Sequence, residues 1–176
     1  MRRALTDAQL ASQLQLHNVE ALRTIEMGEQ IRSSSAFVAR TSGSPASSFP
    51  KVMLVKHFFP RHLVIEARVS NVSIDSRTLG SVAFVVAESS DESAVASIVE
   101  VSIKTLPVDA TGSAWCALTV APQRLDTVVS LTCELRYKIL NGDVATGVSL
   151  NFGDRHGFGA NSTRTFVEEL QVRLVS

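Results

Sequence analysis

The stretch Leu131-Thr132-Cys133-Glu134-Leu135-Arg136-Tyr137-Lys138-Ile139 decides the fold class, because apolar and polar residues alternate along it without a break. Side chains of an extended strand point to opposite faces in turn, so a period of two gives one face to a core and the other to water. The same period recurs upstream. Ala114, Cys116, Leu118 and Val120 alternate with Trp115, Ala117 and Thr119, and Val99, Val101 and Ile103 alternate with Glu100, Ser102 and Lys104. Val82, Phe84 and Val86 form another apolar row, and Leu63, Ile65, Ala67 and Val69 stand against Glu66, Arg68 and Ser70. Adding 52–58 and a last strand carrying Phe166, Leu170, Val172 and Leu174 gives seven strands. A hairpin at 144–150, after the Asn141-Gly142 turn, would make eight. Turn formers punctuate these runs at 71–75, 89–92, Leu106-Pro107, Gly112, Pro122 and the glycines 153, 157 and 159. Many short strands with no helical period between them predict an all-β, immunoglobulin-like antiparallel sandwich rather than a parallel sheet.

Ahead of the sandwich the pattern changes. Leu10, Leu14, Val19, Leu22 and Ile25 recur at spacings near three and four, which predicts an amphipathic helix from Thr6 to about Gln30 within a segment 1–32. The stretch 33–50 holds Ser33, Ser34, Ser35, Ser42, Ser44, Ser47 and Ser48 around Gly43 and Pro45, the composition of a flexible linker. The sandwich domain is then expected over 51–176.

Composition excludes several classes of function. The 176 residues carry 17 Lys+Arg against 17 Asp+Glu with the signs interspersed, so the clustered positive charge of a nucleic-acid binder is missing. The apolar run 83–87 falls far short of the roughly 20 residues of a membrane-spanning helix. The start Met-Arg-Arg-Ala-Leu-Thr-Asp lacks the apolar stretch of a signal peptide, so a cytosolic protein with reduced thiols is expected. Cys116 and Cys133 both lie in strand-like runs and are read as small packed hydrophobes. A bridge between them is the competing reading, but immunoglobulin domains place the tryptophan well between the cysteines, whereas Trp115 directly precedes the first.

No motif assembles a catalytic or metal site. His57 and His62 flank Phe58-Phe59-Pro60-Arg61 without a further ligand at suitable spacing, and read as exposed imidazoles on a turn. Asp154 and His156 lie in a glycine-rich loop without a nucleophile, and the loop lacks the Gly-Lys-Ser/Thr ending of a phosphate cradle. The acidic run 88–92 lacks the glycine and closing glutamate of a calcium loop. Two sequons occur, Asn71-Val72-Ser73 and Asn161-Ser162-Thr163, and Asn71 is better read as a turn former. No cofactor is implied. A small hydrolase or metal-dependent enzyme built on His156 and Asp154, or on His57 and His62, is the alternative of a different class. Trp115, Phe58 and Phe59 are the candidate protein contacts. Strand alternation puts Trp115 opposite Cys116, and a tryptophan on the outer face of a sheet needs a cover or a partner.

Ordered features along the strands carry a family likeness. Lys56-His57-Phe58-Phe59-Pro60-Arg61-His62-Leu63-Val64 opens the domain, and Asn71-Val72-Ser73-Ile74-Asp75-Ser76-Arg77-Thr78-Leu79 precedes the strand at Val82. Lys104-Thr105-Leu106-Pro107, Gly112-Ser113-Ala114-Trp115-Cys116 and Phe166-Val167-Glu168-Glu169-Leu170-Gln171-Val172 follow in order. In this order and spacing the stretch from Val52 resembles the β-sandwich subdomain of the gamma-coatomer appendage, which is related to clathrin-adaptor ear domains. The resemblance implies a non-enzymatic scaffold of the COPI vesicle coat, cytoplasmic and peripheral on Golgi membrane, acting between Golgi and endoplasmic reticulum and within the Golgi. Its implied partners are other coatomer subunits and accessory proteins such as Arf GTPase-activating proteins, with membrane association only through the coat. An adaptor-type ear module is the nearest alternative. The family's factor-binding pocket is expected in a platform subdomain following the sandwich, beyond Ser176, and its coat-joining helical solenoid is likewise absent from the sequence.

Overall fold

The computed structural model describes residues 19–39, 50–72, 77–122 and 127–140, together with the backbone of 162–173. Ten strands run through them: β1 (Arg32–Ser33), β2 (Phe37–Val38), β3 (Lys51–Phe58), β4 (His62–Ser70), β5 (Thr78–Ser89), β6 (Val95–Val101), β7 (Ile103–Leu106), β8 (Thr111–Val120), β9 (Val128–Leu140) and β10 (Ser162–Arg173). A single helical turn, α1 (Glu20–Arg23), precedes them. The first sheet has the order β1-β3-β4-β8-β6, with β2 also pairing β3, and the second has the order β10-β9-β5-β7. Every pairing is antiparallel.

The two inner faces make one core, as the alternation requires. From the first sheet come Leu63, Ile65, Ala67 and Val69 of β4 with Ala114, Cys116, Leu118 and Val120 of β8. From the second come Leu131, Cys133, Leu135 and Tyr137 of β9 with Val82 and Phe84 of β5. Neither cysteine forms a disulfide and both are buried. Burial pushes the Cys116 thiol up to about 11, against a smaller opposing effect of the Ser97 hydroxyl.

Three features depart from the sequence reading. The row 99–103 is not one strand: Ser102 hands the chain from β6 in the first sheet to β7 in the second, so Val99 and Val101 face outward while Ile103 packs on the main core. The serine-rich stretch is not wholly a linker, since β1 and β2 complete the edge of the first sheet. Ser34 N–H donates to the Lys56 carbonyl at 2.8 Å, and the Lys56 N–H donates back to Ser34 Oγ at 2.9 Å. The strand pairing itself is made by backbone groups, with the Ser34 hydroxyl adding to it, and depends on no side-chain periodicity, which is why composition conceals it. Helix is confined to α1 among the described residues of the expected amphipathic segment; Gly28, at φ +76°, takes a left-handed conformation that ends any helical continuation. The expected hairpin at 144–150 and the loop bearing Asp154 and His156 lie outside the described residues, as does the second sequon's Asn161.

Asn71 locks one end of the sandwich. It is buried, and its Nδ2 donates to the carbonyls of Arg77 (2.8 Å) and Leu106 (3.0 Å), while its own carbonyl accepts from Asp109 N–H (2.8 Å). Both amide hydrogens are spent inside the fold, so Asn71 serves the turn and not as a glycan acceptor.

Candidate protein-interaction site

The outward positions of β3, β4, β8 and β6 form a surface with two distinct halves. On the polar half, Glu66 is only 2% exposed although it points away from the core. Its Oε1 accepts from Arg68 Nε at 2.9 Å and from Ser113 Oγ at 2.8 Å, and its Oε2 accepts from Arg68 Nη2 at 3.0 Å. His57 Nε2 stands 3.6 Å from the same carboxylate, and its Nδ1 shares a 2.9 Å hydrogen bond with Ser33 Oγ, to which Gln30 Nε2 also donates. Burial by itself would raise the Glu66 carboxyl, but His57, Arg68 and Ser113 outweigh it and hold the group down at about 2. The expectation of two exposed imidazoles is therefore corrected for His57, which is 1% exposed because residues 30–33 lie across it. His62 begins β4 half-buried, and desolvation, with the charge of Arg61, lowers its affinity for a proton.

On the apolar half, Phe59, Val64, Trp115 and Ala117 form a floor flanked by Val99 and Val101 of β6. It does not face water. Leu22 of α1 is buried in it at 1% exposure, and Val19, Ile25 and Met27 pack around it, so the chain's own residues 19–27 act as a strap. The His57 ring borders the floor, its centroid 6.0 Å from that of Trp115.

The three aromatic contact candidates are thus separated by the fold. Trp115 and Phe59 share the strapped floor, at 5% and 6% exposure, whereas Phe58 faces the main core with the Arg32 guanidinium 4.5 Å over its ring. None is open to solvent, which corrects the picture of exposed anchors: alternation places Trp115 outward but cannot register the strap above it. Among the described residues no group of three or more His, Cys, Asp or Glu is gathered as a metal site, and no helix is long and apolar enough to cross a membrane. The acidic turn after β5 is satisfied locally, Asp91 Oδ1 accepting from Ser93 N–H at 3.0 Å.

Two antiparallel sheets around one core, with a strapped aromatic floor on an outer face, define a β-sandwich module whose most developed site is a packing surface. The chain belongs to the coatomer gamma subunit appendage platform subdomain family, whose model matches residues 11–156. It is therefore a vesicle-coat protein-interaction module. The family applies the word platform to the stretch matched here. Among solved structures, the GAE domain of yeast GGA1 is similar, with 15% identity and a TM-score of 0.43 over 78% of this chain and 99% of that one. No curated protein matches the chain.

Proposed function

We propose that this module is a non-enzymatic appendage of the COPI coat, supporting transport from Golgi to endoplasmic reticulum and within the Golgi. The observation that carries the reading is the family match across 11–156. In this role the chain is cytoplasmic and reaches Golgi membrane and COPI vesicles only through the coat. Its partners are other coatomer subunits and accessory proteins such as Arf GTPase-activating proteins, bound through surface contacts and without a cofactor. Residues 51–176 form the body of the domain, to which the preceding segment is attached as an accessory. Phe58 is withdrawn as a contact because it serves the core, and Trp115 with Phe59 remains as the contact pair.

The test is capture from cytosol with the full chain as bait, with bound proteins identified by mass spectrometry. Recovery of coatomer subunits or Arf GTPase-activating proteins above a scrambled-surface control is expected. Failure to recover either class would overturn the reading.

A further inference from the structure

We infer that the floor formed by Phe59, Val64, Trp115 and Ala117 is a docking groove for a short partner segment, and that residues 19–27 occupy it in cis as a displaceable strap. The inference rests on the reading of the chain as an interaction module, and names the site and the chemistry of its ligand.

The occupant already seated defines the ligand. Val19, Leu22 and Ile25 pack on the groove three residues apart, Leu22 within the helical turn Glu20–Arg23 and the other two flanking it, with Met27 following, so a partner needs three aliphatic side chains at that spacing. Leu22 is the deepest and corresponds to the anchor.

The strap's attachment is what makes it displaceable. Among the described residues its backbone hydrogen bonds are internal: Leu22 N–H to the Val19 carbonyl at 2.9 Å, Ile25 N–H to the Leu22 carbonyl at 3.3 Å and Met27 N–H to the Ile25 carbonyl at 2.9 Å. Among the described residues, main-chain bonding from this segment to the sandwich begins at Ile31, whose N–H donates to the Phe58 carbonyl at 2.8 Å. Between the two regimes sits Gly28 at φ +76°, where the chain passes Pro60. The helix is four residues long and Val19 supplies no side-chain cap, so the turn has little stability apart from the groove. If the strap leaves, the floor becomes an exposed apolar patch beside the polar cluster of Glu66 and Arg68, the kind of surface that marks a binding site.

A tethered occupant competes at an effective concentration on the order of millimolar, so a free ligand binds appreciably only when the strap is weakened. The full chain carrying Leu22→Ser is therefore compared with the native chain, using the synthetic peptide Val19–Ile31 as probe and the same peptide with Leu22→Ser as control. Trp115 is the sole tryptophan and reports directly on the groove. The variant is expected to keep its strand circular dichroism, to show red-shifted Trp115 emission, and to bind the peptide at least ~10-fold more tightly than the native chain, with emission returning to the blue. The control peptide is expected not to bind.

Three results would overturn the inference: unshifted emission in the variant, no binding of the native-sequence peptide to a variant whose emission has shifted, or conversion of the variant to a dimer, which makes the groove a self-association surface. Where Leu22→Ser fails to fold, Ile25→Ser replaces it and amide hydrogen exchange on the native chain decides. Exchange across α1 at least ~100-fold faster than in β4 and β8 is expected, and equal protection refutes a displaceable strap. None of these readouts involves coatomer, so they fail or succeed separately from the cytosolic capture.

Discussion

Replacing Glu66 by Gln tests whether the outer face of the first sheet carries part of the fold's stability. The carboxylate is 2% exposed and accepts from Arg68 Nε and Nη2 and from Ser113 Oγ, all at 2.8 to 3.0 Å. A carboxyl held at about 2 against an ordinary 4.5 corresponds to about 3 kcal/mol of stability at neutral pH. Arg68 is 40% exposed, so solvent screens its share, and a glutamine retains one acceptor for Ser113. A loss of about 2 kcal/mol is the resulting expectation for Glu66→Gln. The pH dependence follows from the direction of the shift. Because the folded-state value lies below the unfolded one, the stabilisation is complete above pH 4.5 and disappears as pH falls towards about 2. Urea denaturation followed by Trp115 fluorescence, at pH 7 and again at pH 2.5, measures the gap between native chain and variant. A gap of the same size at both values, or none at pH 7, would refute the reasoning.

Further tests bear on the core and the turns. Leu131→Ala, at a fully buried position of β9, is expected to cost about 3 kcal/mol in urea titration, whereas Val128→Ala on the same strand, 62% exposed, should stay within about 0.5 kcal/mol; similar costs at both sites would contradict the assigned inner face. Both thiols should resist an aromatic disulfide reagent at pH 8 in the native chain and react fully in denaturant, given the burial of both and the elevated Cys116 thiol. Rapid reaction of either in the native chain would show that the core opens readily. Asn71→Ala leaves the Arg77 and Leu106 carbonyls without their donor and should cost about 2 kcal/mol, read as a lowered denaturation midpoint. An unchanged midpoint would remove Asn71 as the lock of that turn.

The sandwich was legible because a period of two survives in strands buried on one face. β4, β8 and β9 each put their apolar row where alternation predicts, and Leu131 to Tyr137 faces Leu63 to Val69 across the core. The reading failed where pattern and topology separate. Alternation continues through Ser102 while the strands change sheets, so Val99 and Val101 belong to the outer cluster although they resemble core residues. Serine content signalled flexibility at 33–39, yet pairing to β3 is made by backbone groups. For the candidate site, the sequence located Trp115 on the outer face and the aliphatic spacing of Val19, Leu22 and Ile25, two halves of one contact. Their joining is a long-range event that neither local pattern contains.

The two outer halves of the first sheet are coupled through the same stretch of chain. Residues 19–27 cover the Trp115 floor by apolar contact, and residues 30–33, immediately beyond Gly28, bind the His57 and Glu66 cluster by hydrogen bonds. A ligand that displaces the first part thereby exposes only apolar surface, while the polar cluster and the β1 pairing stay in place to hold the edge of the sheet. Apolar contact is non-directional and admits a different segment of similar spacing; the hydrogen bonds of the second part are fixed in geometry and do not. Gly28 therefore divides an exchangeable contact from a structural one. The division makes a specific demand on variants: weakening the cluster at Ser33 should lower global stability, and weakening the contact at Leu22 should change access to Trp115 first.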